Sequence, residues 1–252
     1  MNDSDAAKNL RLIRTWTQAT VGYIEIHRPD KANAYNQALL KELGHALDQM
    51  EADKSVITLV ISGAGERSFC AGADLDEMQQ ADYADALNLK SSRLFSSIAT
   101  YPKVTLAAIN GAAVAGGLEL ALACDIRICS ENARFFFPET KLGLIPAAGG
   151  THRLPQVVGI ARAKELIIAG RVWLAKDALS YGLVSEVVHI DELLVRAQQW
   201  GEQIGQRDPL ALQLAKRVID SGIYYGTESA NATIAEALLY QVKRTNNKTP
   251  DI

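Results

Sequence analysis

Two glutamates stand where burial rules would not put them. Glu119 lies in A-A-I-N-G-A-A-V-A-G-G-L-E-L-A-L-A-C, from Ala107 to Cys124, a run of aliphatics and glycines whose only other polar side chain is Asn110. A carboxylate among Val114, Leu118, Leu120 and Leu122 loses hydration, so it must be paired, be neutralised by a raised pKa, or have a task that justifies its burial. Glu139 repeats the oddity in F-F-F-P-E-T-K-L-G-L-I-P-A-A-G-G-T, where it follows three phenylalanines and a proline and is predicted to stand against an apolar wall. Two carboxylates with displaced pKa values facing one cleft can run acid and base chemistry near neutral pH. Each also has a plainer reading, Glu119 as a cap on a helix opening at Gly116 and Glu139 as a helix-start residue after Pro138.

The frame for such a pair is an ordinary globular chain. Its 252 residues allow one or two domains, and 48% hydrophobic content is ample for a core. A net charge of -3 provides no global basic field, so nucleic acid and anionic membranes are not expected partners. Cys70, Cys124 and Cys129 have neither C-x-x-C spacing nor a nearby histidine and read as buried thiols of a reducing, cytoplasmic compartment. No apolar leader is evident in the first fifteen residues. The run at Ala107 is broken by three glycines, an asparagine and a glutamate, which argues against a membrane span.

Alternation predicts a strand near Leu10 to Trp16 and another at Val21 to His27, joined as a hairpin at Ala19 and Thr20. R-P-D-K-A-N-A-Y-N reads as a loop ending at Asn36, a helix N-cap, and Leu39, Leu43, Leu47 and Met50 carry the helical period to about Ala52. Val56 to Ser62 and Val104 to Asn110 read as buried strands on either side of the loop S-F-C-A-G-A-D-L and a helix over 82–99. A helix opens at Gly116, and Asp125 to Ser130 and Arg134 to Phe137 read as strands. Strand and helix in alternation point to right-handed crossovers and a parallel core, the α/β class. Past Gly150 the helices expected are 161–169, 175–181, 191–206, 209–223 and 228–243, with one strand at 184–189. The division expected is an α/β core over 1–190 and a C-terminal helical subdomain over 191–252.

Three strings, I-N-G-A-A-V-A-G-G-L-E-L-A-L-A-C-D-I, P-E-T-K-L-G-L-I-P-A-A-G-G-T-H-R-L and S-F-C-A-G-A-D-L, resemble the crotonase (enoyl-CoA hydratase/isomerase) superfamily. The likeness runs from the R-P-D-K-A-N-A loop to about Tyr240. It implies a spiral of β-β-α units with a C-terminal helical trimerisation region, a coenzyme A thioester as substrate, no separate cofactor or metal, and a homotrimer or homohexamer. Leu193, Leu194, Leu210, Leu214, Leu238 and Leu239 offer apolar helix faces for such contacts or for internal packing.

Adding water to an α,β-unsaturated thioester collects negative charge on the thioester oxygen, and backbone N–H groups are the preorganised stabiliser of that charge. Gly116 and Gly117 open a helix whose free N–H groups point outward, and C-A-G-A-D is a small-residue turn that a ligand can approach closely. By resemblance, the N–H groups of Ala73 and Gly116 form the oxyanion hole, Glu119 holds and activates water, and Glu139 delivers the proton to the α-carbon. The resemblance also implies substrate contacts at Lys31, Ala32, Ala71, Asp74, Leu75, Phe137, Pro138 and Ala147. The function implied is hydration of a 2-enoyl-CoA to a 3-hydroxyacyl-CoA; a double-bond isomerase, a thioester hydrolase and a non-catalytic acyl-CoA binder are the alternatives.

Some positions depart from the family pattern. Phe136 replaces a common glycine and is expected to narrow the acyl pocket. Ala147 stands where many relatives have glycine and would be strained if that position needs positive φ. Asp76 occupies a site where a basic residue often meets the coenzyme A phosphates, which leaves Lys31 or Lys141 for that contact. Relatives often continue past this chain's last residues with a helix that lines a neighbour's coenzyme A site.

Overall fold

The computed structural model describes residues 12–79 and 90–225. The expected helix over 228–243, Leu238, Leu239 and most of the first half of the helix expected over 82–99 lie outside them. Strands β1 (Ile13–Gln18) and β2 (Val21–Ile26) form the expected hairpin, pairing from Ile13↔Ile26 to Gln18↔Val21. Helix α1 (Gln37–Ala52) starts where its cap predicts: the Asn36 side chain accepts a hydrogen bond from Leu39 N at 2.9 Å, worth about 1 kcal/mol. Its Leu39, Leu43, Leu47 and Met50 are buried.

The chain then winds through three similar turns. β3 (Thr58–Gly63), β4 (Ser68–Cys70) and helix α2 (Leu75–Met78) make the first. Helix α3 (Lys90–Ala99) leads to the second, β5 (Val104–Ile109), β6 (Ala112–Val114) and helix α4 (Gly116–Ala123). The third is β7 (Ile126–Ser130), β8 (Arg134–Phe136) and helix α5 (Gly150–Ile167), which follows a short 3-10 turn at Glu139–Leu142. β9 (Trp173–Leu174), helix α6 (Ala175–Ser180), β10 (Glu186–Val188), helix α7 (Leu193–Gly205) and helix α8 (Pro209–Tyr225) complete the described chain. In each turn the first strand joins one sheet and the second joins another. The larger sheet has the order β1-β2-β3-β5-β7-β10 and is parallel from β2 onward; the smaller has the order β4-β6-β8-β9.

All six residues of β3 are buried, as a parallel strand covered on both faces requires. Alternate residues serve the two faces. Ile24, Leu59, Ile61, Ala107 and Ile109 join the main core with α1, whereas Val21, Tyr23, Val60, Leu106 and Ile128 pack with Leu193 and Ala197 of α7. Leu193 thus serves internal packing, Leu194 is 42% exposed, and Leu210 and Leu214 are half-buried.

Two expectations need correction. S-F-C lies not in a loop but in β4, and the companion strand β6 was also missed, because three-residue strands are too short to display a period. The helix expected from Ala161 begins at Gly150. Pro155 lies inside it and Gly159 takes φ 79°, so these two breakers mark a kink between two helical stretches rather than the helix's start.

Asn110, the other polar residue of the apolar run, is structural. It accepts from Gly63 N at 3.0 Å and donates to Gly65 O at 2.6 Å and Ser68 O at 3.1 Å, holding the loop between β3 and β4. Gly117 lets α4 lie directly on β4, since a Cβ there would sit 2.6 Å from the Cys70 carbonyl carbon and inside its oxygen. Backbone cannot yield as a flexible side chain does, so Gly117→Ala is expected to destabilise by about 3 kcal/mol or more, read as a lowered urea midpoint.

Candidate active site

β4, β6 and β8 run parallel, so the segments leaving their C-terminal ends emerge along one edge of the smaller sheet. β4 releases the turn Ala71–Asp74, β6 leads into α4 with Gly116 and Glu119, and β8 leads to Glu139. The small sheet thereby gathers all four residues expected to carry the chemistry.

The turn into α4 is sharp. Ala115 takes φ 50° and ψ −128°, a conformation that costs an alanine about 1–3 kcal/mol, and its N donates to Phe136 O at 3.1 Å, tying the ends of β6 and β8 together. Gly116 follows as the first residue of the helix, where its N–H has no intrahelical acceptor. The Ala71–Asp74 turn lies against it, for a Cβ on Gly72 would be 3.2 Å from Gly116 N. Among the described residues, the N–H groups of Ala73 and Gly116 donate to no other group. They form a pair of free donors on two segments in contact.

Glu119, in the first turn of α4, is only 3% exposed. Its Oε1 accepts from Ala148 N and Gly150 N, each at 2.8 Å. Burial pushes its carboxyl above the ordinary value, while the N–H groups of Gly150 and Ala148 and the positive charge of Arg153 oppose that rise. Arg153 is itself buried and donates to Ala148 O at 3.0 Å and to Ser96 Oγ at 3.3 Å. Glu139 is equipped differently. Its Oε2 is buried and accepts no hydrogen bond from a described residue, and its carboxyl is raised to about 7, chiefly by burial and further by the charge of Glu119. One carboxylate is thus clamped by backbone dipoles, and the other keeps its affinity for a proton into the neutral range.

The remaining expected contacts fall into two groups. Lys31 and Ala32 are exposed on a loop stitched to the Ala71–Asp74 turn: Ala71 N donates to Ala32 O at 3.1 Å, and Arg28 pairs with Asp74 at 2.7 Å. Asp74 serves that joint, since its other oxygen accepts from Asp76 N and Arg28 holds its carboxyl below the usual range. Leu75 projects into solvent at 63% exposure. In the second group, Phe137 is fully enclosed beneath the loop that clamps Glu119, where a Cβ on Gly150 would lie 3.0 Å from its Cζ. Phe136 and Pro138 are half-buried. Ala147 is exposed and is not among the residues with positive φ, so it carries none of the strain considered for it.

Sequence reasoning passed over the clamp itself. Ala148 and Gly150 act through their backbone, and the signal for them in the sequence is the Gly149–Gly150 pair ahead of a helix. Gly149 has φ 125°, and a Cβ there would fall 2.8 Å from Arg153 Cζ, so the glycine both makes the turn and admits the guanidinium.

Residues 16–249 match the enoyl-CoA hydratase/isomerase family. The short-chain-enoyl-CoA hydratase of Clostridium acetobutylicum is 38% identical over 222 residues, covering 87% of this chain and 85% of that protein. The 2,3-dehydroadipyl-CoA hydratase of Escherichia coli is 41% identical over 202 residues, 80% of this chain and 79% of that protein. Among solved structures, an enoyl-CoA hydratase from Bacillus anthracis superposes with a TM-score of 0.87 at 35% identity, covering 96% of this chain and 98% of that one. On the match across nearly its whole length, with relatives covered over most of theirs, this chain belongs to the enoyl-CoA hydratase/isomerase family and has the crotonase fold.

Proposed function

We infer that this chain is an enoyl-CoA hydratase that adds water across the 2,3 double bond of a 2-enoyl-CoA. The observation that carries the reading is the contrast between Glu119, clamped at Oε1, and Glu139, raised to about 7, on the edge that also presents two free N–H donors. In this mechanism the thioester oxygen sits between Ala73 N and Gly116 N, which stabilise the charge that builds there as C3 is attacked. Glu119, with Oε1 occupied by the clamp, uses Oε2 to accept a proton from water, and the water oxygen bonds to C3. Protonated Glu139 gives its proton to C2. The two carboxyls then exchange one proton through water, so the enzyme is restored and the net addition is one H₂O.

A double-bond shift needs only one proton shuttle, which Glu139 could be, and would leave Glu119 only the structural work of holding the Ala148–Gly150 loop. Incubation with 2-enoyl-CoA thioesters of increasing chain length tests the reading: loss of the conjugated absorbance with formation of 3-hydroxyacyl-CoA supports it, and 3-enoyl product alone would replace it with the isomerase.

The coenzyme A phosphates call for a cation at the mouth. Lys31 is the candidate, but its Nζ lies 3.0 Å from Asp76 Oδ2 with both side chains exposed. Asp76→Asn releases that lysine, so KM is expected to fall about two- to fivefold at low ionic strength, with the gain vanishing as salt rises. A homotrimer or homohexamer is in keeping with the large apolar side chains left open at Leu142, Ile145, Ile160, Ile168 and Leu174, all at least half exposed. Sedimentation as a monomer would remove that assignment.

A further inference from the structure

We propose that Tyr35 is the positioning residue of the oxyanion hole, its main chain setting the Ala73 N–H and its ring setting Gly116; the proposal rests on the hydratase reading of the same site. Four observations converge on this residue.

First, Tyr35 and Ala73 form an isolated parallel bridge, in which Tyr35 N donates to Gly72 O and Tyr35 O accepts from Asp74 N, both at 2.8 Å. A parallel bridge of this pattern uses the groups flanking Ala73 and turns the N–H of Ala73 itself to the opposite side. The bridge therefore frees this donor and aims it away from Tyr35.

Second, the side chain of the same residue reaches the other donor. A Cβ on Gly116 would run into the Tyr35 hydroxyl oxygen and lie 2.8 Å from both Cε1 and Cζ, so the hydroxyl end of the ring lies directly against Gly116. One residue thus braces both halves of the hole, which come from strands more than forty residues apart in sequence.

Third, the brace is rigid. Tyr35 is 8% exposed and stands edge to face on Phe95, with ring centroids 5.7 Å apart at 88°. Phe95 is fully buried, so the ring is anchored to α3.

Fourth, the phenol stays neutral. Burial raises its pKa, and the charges of Glu119 and Glu139 add to the rise, so it contributes no titration of its own at working pH. Its effect is geometric, and that separates it from the two carboxylates.

Preorganised donors lose their value when displaced, and a misplacement on the order of 1 Å costs about 100-fold. Tyr35→Leu and Tyr35→Met remove the flat wedge but keep apolar bulk, and kcat is expected to fall about 10- to 100-fold with a much smaller change in KM. Tyr35→Phe keeps Cε1 and Cζ against Gly116 and loses only the hydroxyl at the tip of the wedge, so it should restore much of that loss.

The test that a merely supportive core residue would not move is spectroscopic. A chromophoric aryl-enoyl-CoA bound in the hole should show a red-shifted absorbance, because the two N–H donors polarise its conjugated carbonyl. The proposal expects the shift per bound ligand to shrink in Tyr35→Leu and Tyr35→Met and to be largely regained in Tyr35→Phe, with the pH profile of kcat unchanged in position. A full shift and unchanged kcat in whichever of the Leu and Met variants folds would overturn it, as would equal loss in Tyr35→Phe. Wild-type enzyme that binds the ligand with no shift and hydrates no enoyl-CoA would instead remove the hydratase reading, and the proposal with it.

Discussion

Glu119→Gln is expected to lower kcat for enoyl-CoA hydration by about 10²- to 10⁴-fold while the fold survives. The reason lies in the asymmetry of the site. A glutamine can turn its carbonyl oxygen to Ala148 N and Gly150 N and keep both 2.8 Å hydrogen bonds, so the loop that opens α5 stays in place. What then faces the water is an NH₂ group, a donor where the mechanism needs an acceptor. Because burial disfavours the charge on Glu119, the neutral variant should unfold at the same temperature as the parent or slightly above it. Steady-state kinetics with thermal unfolding on the same preparation reads both effects. If a double-bond shift persists at the parental rate while hydration is lost, Glu139 alone carries that second chemistry.

Glu139→Gln is expected to be comparably damaging to kcat, and its effect on stability should depend on pH. The carboxyl is raised to about 7 from an ordinary 4.5, so the folded protein holds this proton more tightly than the unfolded chain. Stability from this group is fully present below about 4.5 and is lost as pH rises through about 7. The glutamine variant has no such proton to lose. At pH 8 it should therefore be more stable than the parent by about 1–2 kcal/mol, solvent at the carboxylate screening part of the full effect, and the difference should vanish near pH 4. Parental activity should fall as pH climbs above about 7, where Glu139 no longer carries the proton that C2 requires. Removing the Glu119 charge lowers the Glu139 pKa, so the residual activity of Glu119→Gln should fall away at a lower pH than the parent's.

Both expectations began with a pattern visible in the chain itself. Glu119 in an aliphatic run and Glu139 behind three phenylalanines announce carboxyls held out of water, and that is how the fold holds them. The larger sheet was legible for a related reason: strands buried on both faces, such as Thr58–Gly63, appear as continuous apolar runs. The smaller sheet was not. Its strands are two or three residues long, and their pairing is between segments some forty and twenty residues apart, which no local period records. Yet this sheet is what puts the Ala71–Asp74 turn, α4 and Glu139 on a single edge. The clamp on Glu119 was hidden for another reason, since Ala148 and Gly150 act through main-chain N–H groups that every residue except proline possesses. Only the fold says which of them point at a carboxylate. Tyr35 was hidden as well, because its ring meets Gly116 across loops that the sequence keeps far apart.

The central claim, that Glu119 and Glu139 together hydrate an enoyl thioester, is tested most directly by following the conjugated absorbance of a panel of 2-enoyl-CoA substrates with the parent protein, Glu119→Gln and Glu139→Gln at equal folded concentration. The expected result is rapid loss with the parent on at least one substrate, accompanied by 3-hydroxyacyl-CoA, and a fall of at least about 100-fold in each variant. Parental rates in either variant, or no loss on any substrate by a folded parent that binds acyl-CoA, would contradict it.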